Sequence, residues 1–163
     1  MEPVTVTTTI ARPREEVFAY LADIANHPEF SDHYLVDWRL TREDSFGRGA
    51  GARFEFKAPL NRFNHADVTF IEVQAPWRIV EAGRGGKFNR TRLRGVYELQ
   101  PTSGGTRVEF TVETKPATFA DRIMESLGFR GWFKRKSNKA MRRLRSILED
   151  DEGRGQRATI AGR

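Results

Sequence analysis

Residues 10–23 read Ile10-Ala11-Arg12-Pro13-Arg14-Glu15-Glu16-Val17-Phe18-Ala19-Tyr20-Leu21-Ala22-Asp23, and they join a strand to a helix. Upstream, Val4, Val6, Thr8 and Ile10 alternate with Thr5, Thr7 and Thr9. That two-residue period in β-branched side chains makes a strand. Pro13 lacks the N–H that a first helical turn would leave unpaired, and Glu15 and Glu16 suit the positive end of the helix dipole. Val17, Phe18, Leu21, Ile24 and Ala25 then fall at helical spacing. Pro28 is expected to close that helix.

Working outward, residues 27–34 read as an irregular or single-turn piece, with His27 expected at a helix end or on the surface. The two-residue period then returns. Val36, Trp38 and Leu40 alternate with Asp37, Arg39 and Thr41, and Ala52, Phe54 and Phe56 with Arg53, Glu55 and Lys57. Val68 and Phe70 share one face of a strand near residues 66–73. Gln74-Ala75-Pro76 is a turn before a short strand at 79–82. Thr91, Leu93, Tyr97 and Leu99 share a face of the next strand. Residues 101–105 connect it to a partner in which Val108, Phe110 and Val112 alternate with polar residues. In that hairpin an Arg94–Glu113 cross-strand pair is expected.

Phe119, Ile123 and Leu127 step by four along a helix face, and Gly128 and Gly131 predict a break or kink. Beyond it Phe133, Ala140, Met141, Leu144, Ile147 and Leu148 fall within about 120° of arc, with Lys and Arg opposite. Residues 151–163 have no period and read as a disordered tail. Residues 1–150 therefore form a single α+β domain. Its antiparallel sheet of about seven strands is covered by the long C-terminal helix, the longest amphipathic cover available.

Composition sets limits on function. A chain of 163 residues, 38% hydrophobic and 31% charged, fits one domain with one core. No run approaches the ~18 apolar residues of a spanning helix. The N-terminus has no basic region followed by an apolar one. Cysteine is absent, so there is no disulfide or thiolate chemistry, and a cytoplasmic location is expected. The net charge of +6 is local: the eight basic residues between Arg130 and Arg145, with no acid among them, leave the rest of the chain at −2. An electrostatic partner is to be sought on that segment.

The opening motif at residues 10–23, the Pro28 after it, the Gly-punctuated strand connections and the amphipathic last helix resemble the START-like, or SRPBCC, superfamily. The nearest branch is the one named for polyketide cyclase/dehydrase and lipid transport, and the likeness runs over roughly residues 2–150. The resemblance implies a helix-grip fold, a curved antiparallel sheet around its C-terminal helix with a cavity between them. It also implies a lipid-, sterol- or polyketide-like ligand. Fold alone does not fix an activity.

The expected cavity walls are Trp38, Phe54, Phe56 and Phe70 from the first half of the sheet. Tyr97, Phe110, Ile123 and Leu127 complete them, with Tyr97 and His65 orienting a polar end. Apolar pockets with a few placed polar groups are the usual small-molecule sites, and apolar burial at about 25 cal/mol per Å² suffices for binding without chemistry. A carrier of a small hydrophobic or amphipathic molecule is therefore the first reading, with no cofactor. The second is a cyclase or dehydratase in which His65 and Tyr97 move protons and Arg92 polarises a carbonyl. No catalytic motif of the family matches this chain residue by residue. No Cys, HExxH or paired histidines support a metal. Gly47-Arg48-Gly49-Ala50-Gly51 has no helix after it, as a phosphate loop would need. A third reading is an interaction module: Lys134, Arg135, Lys136, Lys139, Arg142 and Arg143 could meet an anionic membrane or RNA. No nucleic-acid motif is present, which favours the membrane.

Overall fold

The alternation at the N-terminus becomes strand β1 (Val4–Ile10), followed by helix α1 (Arg14–Leu21) with Pro13 at its N-cap and Glu15 and Glu16 in its first turn. The structure is a computed structural model that describes residues 2–58, 64–119, 122–123 and 128–161. Helix α1 stops at Leu21, well short of Pro28. Pro28 instead sits in the first turn of a second short helix, α2 (His27–Ser31). A proline fits there because first-turn N–H groups have no intrahelical acceptor. Between the two helices lies a 3-10 turn at Ile24–Asn26, where the Asp23 carboxylate accepts from the Ala25 N–H at 3.1 Å.

Six strands follow: β2 (Leu35–Leu40), β3 (Gly51–Phe56), β4 (His65–Gln74), β5 (Arg78–Gly85), β6 (Thr91–Thr102) and β7 (Gly105–Lys115). They form one antiparallel sheet in the order β1-β7-β6-β5-β4-β3-β2. The first strand pairs with the last, so α1 and α2 carry the chain from one sheet edge to the other. The expected Arg94–Glu113 pair is in register, 3.9 Å apart. Both side chains are partly exposed, so it contributes a fraction of a kcal/mol. Register breaks in β2, between Val36 and Arg39, and in β4, between Phe70 and Glu72, bend and twist the sheet locally.

Helix α3 (Phe129–Asp150) packs on the concave face, burying Phe133, Ser137, Ala140, Met141, Leu144 and Ile147. These meet the inward residues of the sheet in one core that includes Phe54, Val68, Phe70, Ile79, Tyr97, Leu99 and Phe110. The helix begins where the glycine break was expected, with Gly128 at its N-cap at φ +90°. The seven-stranded curled sheet gripping a C-terminal helix is the helix-grip architecture.

Residues 151–161, part of the stretch read as a disordered tail, run back along the domain. Gly155 N–H donates to Glu29 O at 3.0 Å, Ala158 N–H to Ala25 O at 2.9 Å, and Leu40 N–H to Thr159 O at 3.0 Å. Arg157 pairs with Asp23 at 2.8 Å and Arg154 with Glu29 at 2.8 Å. These contacts come from isolated residues, many through main chain, so no periodicity announces them. A bridge between Thr159 and Arg39 also occupies part of the otherwise free edge of β2.

Candidate functional site

Side chains alternate along β5. Ile79 points into the core, and the same parity sends Glu81 inward. Across the ladder Glu81 faces Gly95 on β6 and Phe70 on β4, beside the β4 bulge. A Cβ at position 95 would collide with the Glu81 Oε1, so the carboxyl lies over the space that the missing side chain leaves. No ion pair or hydrogen bond reaches Glu81 from the described residues, and burial alone pushes its pKa up to about 7. The carboxyl is surrounded by protein, yet the residue keeps partial exposure. Part of the residue is thus reached by solvent although strand parity turns its side chain inward.

Two phenols share this region. Tyr97 lies two residues beyond Gly95 on the same face of β6, its ring stacked on Phe110 at 4.3 Å and 22°. Tyr34 stands between α2 and β2, with the Ser137 hydroxyl of α3 beside its phenolic oxygen. Burial raises both phenol pKa values, Tyr34 to about 12 and Tyr97 well above its ordinary value, and the nearby Glu81 charge adds to both. Both phenols are therefore neutral at physiological pH. A carboxyl with a pKa near neutrality beside two phenols can hold the polar end of a ligand or exchange a proton with it.

His27, expected at a helix end or on the surface, is buried instead. Its Nε2 lies 2.8 Å from the Leu21 carbonyl, so Nε2 carries the proton. The rings of Phe30, Trp38, Phe70 and Tyr97 pack around it at 5.4–6.4 Å. Burial lowers its pKa to about 4. It is a neutral wedge linking the end of α1 to the aromatic core.

Of the expected wall residues, Trp38, Phe54, Phe70, Tyr97 and Phe110 are buried in the core, and Phe56 is half-buried against it. Ile123 is 44% exposed, and Leu127 lies outside the described residues. His65 and Arg92 are both exposed, because their neighbours Ala66 and Leu93 take the inward positions. Neither joins Tyr97, so the proton-transfer set of His65, Tyr97 and Arg92 is not assembled. Sequence reasoning missed Glu81. Its signal was present: a carboxylate on the apolar parity of a strand, two residues after Ile79. Ser137 was missed likewise, as a hydroxyl on the buried face of α3.

On the outer face of α3, Lys134, Arg135, Lys139 and Arg142 are exposed. Lys136 is half-buried, and its carbonyl lies 3.1 Å from the His33 Nε2. Arg143 is committed to structure: it pairs with Asp32 and donates to Glu29 O at 3.0 Å and Gly153 O at 3.2 Å. A surface groove of about 410 Å³ lies elsewhere, between residues 11–15 and 101–105. There Arg12 donates to the Leu148 and Glu149 carbonyls, whereas Arg14 stacks over the Trp77 ring at 3.6 Å with its Nε and Nη1 buried and without a hydrogen bond. Among the described residues no three His, Asp or Glu side chains gather as a metal site would, and no helix is long and apolar enough to cross a membrane.

The family model described as polyketide cyclase / dehydrase and lipid transport matches residues 1–149. No curated protein matches. Solved structures show the same fold at low identity. The Thermus thermophilus protein TTHA0849 is 13% identical, with 90% of this chain and 96% of that one covered at a TM-score of 0.69. The KanY protein is 15% identical with the same coverage and a TM-score of 0.72. Major latex-like protein 151 of Panax ginseng is 10% identical, again over 90% and 96%, with a TM-score of 0.67.

Proposed function

The chain belongs to the polyketide cyclase / dehydrase and lipid transport family, and from that premise we propose that it encloses a small hydrophobic or amphipathic molecule between its sheet and α3. The observation that carries this is Glu81, an inward, partly exposed carboxyl with no ion pair or hydrogen bond from the described residues. A buried polar group is normally satisfied within the fold, and one left over in an apolar interior belongs at a binding site. Trp38, Phe54, Tyr97 and Phe110 supply apolar wall, with Phe70 packed behind them, and Glu81, Tyr97 and Tyr34 orient the polar end. Binding alone is the function proposed, since His65 and Arg92 stand apart from Tyr97. The test is native mass spectrometry of freshly purified protein before and after solvent extraction, joined to thermal shifts over a panel of lipids and polyphenols. A retained apolar adduct, or a raised Tm with one compound class, is expected. No adduct and no shift across the panel counts against the reading.

The outer face of α3 supports a second element, docking on an anionic membrane surface from which such a ligand is drawn. Each basic residue near such a surface contributes about 1 kcal/mol. Replacing Lys134, Arg135, Lys139 and Arg142 together by Gln is expected to abolish co-sedimentation with phosphatidylserine vesicles while leaving the fold unchanged by circular dichroism. Undiminished co-sedimentation removes this element and leaves the interior site standing.

A further inference from the structure

Among the described residues the Glu81 carboxyl inside the grip has no counter-charge, and that decides which ligands the site accepts. Glu81 receives no ion pair from the described residues, and none of their basic side chains contributes to its electrostatics. The titratable groups nearest this region are Tyr97 on β6 and Tyr34 before β2, both held neutral by burial, and His27 on α2, which packs on Tyr97 and is neutral too. None can balance the carboxylate.

Three ligand classes then behave differently. An anionic amphiphile would place a second carboxylate against Glu81, and two like charges in a water-poor site repel strongly. A neutral alcohol can be held, but it leaves Glu81 to keep its proton or stay unbalanced. A protonated amine supplies the missing positive charge, and its hydrogen bond to the carboxylate is charge-assisted. An ammonium brings three N–H donors. The Glu81 carboxylate and the phenolic oxygens of Tyr97 and Tyr34 offer acceptors in the same region, and the aromatic faces around them favour a cation.

Resting on the enclosed-ligand reading above, we infer that the ligand of this chain is an apolar molecule bearing a primary or secondary amine, with Glu81 as its counter-ion. Gly95 belongs to the same device, because its lack of a side chain gives the carboxyl its place. The amine enters protonated and meets the ionised carboxylate, so no bond is made or broken.

The test is calorimetric titration of the full chain at pH 7.5 with three matched probes, decylamine, decan-1-ol and decanoate, each competed against decan-1-ol to assign it to the interior. Decylamine is expected to bind at least about tenfold tighter than decan-1-ol, the order of one hydrogen bond to a charged group. Decanoate is expected to bind weakest. Glu81→Gln should remove the difference between amine and alcohol while keeping alcohol binding. Gly95→Ala, which keeps the charge but displaces it, should shrink the difference, and it serves if the first variant does not fold. An amine preference that survives both variants overturns the inference, as does decanoate competing as well as decylamine. Failure of all three probes to bind sinks the enclosed-ligand reading itself and this inference with it. Alcohol binding without amine preference sinks only the inference.

Discussion

Glu81 and His27 sit in the same interior with opposite pH dependences. Burial raises the Glu81 pKa to about 7 from an ordinary value of 4.5. The folded state therefore favours the protonated carboxyl, and stability is full below pH 4.5 and falls as the pH rises through about 7. Burial lowers the His27 pKa to about 4 from 6.5. Its contribution is full above pH 6.5 and falls as the pH drops through about 4. Each shift corresponds to at most about 3 kcal/mol. Stability of the ligand-free domain should thus be greatest between about pH 4.5 and 6.5, read by urea denaturation across pH. Glu81→Gln should gain about 3 kcal/mol at pH 8 and almost nothing at pH 4. An equal gain at both pH values would show that the carboxyl is not what titrates. His27→Gln keeps an N–H donor for Leu21 O and should flatten the acid limb.

At the scale of elements, α3 does most to close the interior, and it starts on a residue that only glycine adopts easily. Gly128 has φ +90°, and nothing lies within 4 Å of where its Cβ would be. Gly128→Ala should therefore cost about 1 kcal/mol from backbone conformation alone. A much larger loss would mean that the start of the helix is held by packing as well. The sheet and this helix were readable from the sequence because repeating alternation and helical spacing are signals spread over many residues. Val108, Phe110 and Val112 placed their strand, and Phe133 through Ile147 placed the gripping face. The helix boundary near Pro28 was not readable, since proline both ends one helix and opens the next. The site was readable only in its walls. Tyr97 and Phe110 follow from alternation, but Glu81 is one residue, and its meaning depends on Gly95 across the ladder.

For the molecule as a whole, the returning C-terminal segment ties the far end of α3 to α1, α2 and β2. Its central contact is Arg154 with Glu29, whose side chain is 5% exposed and also accepts from the Tyr20 hydroxyl at 2.9 Å. Removing one partner of a pair leaves the buried charge uncompensated. Arg154→Ala is expected to cost about 2 kcal/mol, less than a fully buried pair because the arginine is partly exposed. Ending the chain at Asp150 should cost more, since it also frees the Ala25, Glu29 and Leu40 main-chain groups that residues 155–159 satisfy. Chemical denaturation of the two variants measures both. Equal stability to the parent would mean that the segment merely rests on the surface. On the proposed binding role, the curled sheet and terminal helix hold the Glu81 carboxyl within a largely aromatic interior. The most direct test is amide NMR of the isotopically labelled full chain during titration with decan-1-ol. The shifted resonances are expected to converge on Glu81, Gly95, Tyr97, Tyr34 and Ser137. Shifts confined to the outer face of α3 or to the groove at residues 11–15 and 101–105, with Glu81 and its neighbours unmoved, would contradict the binding role.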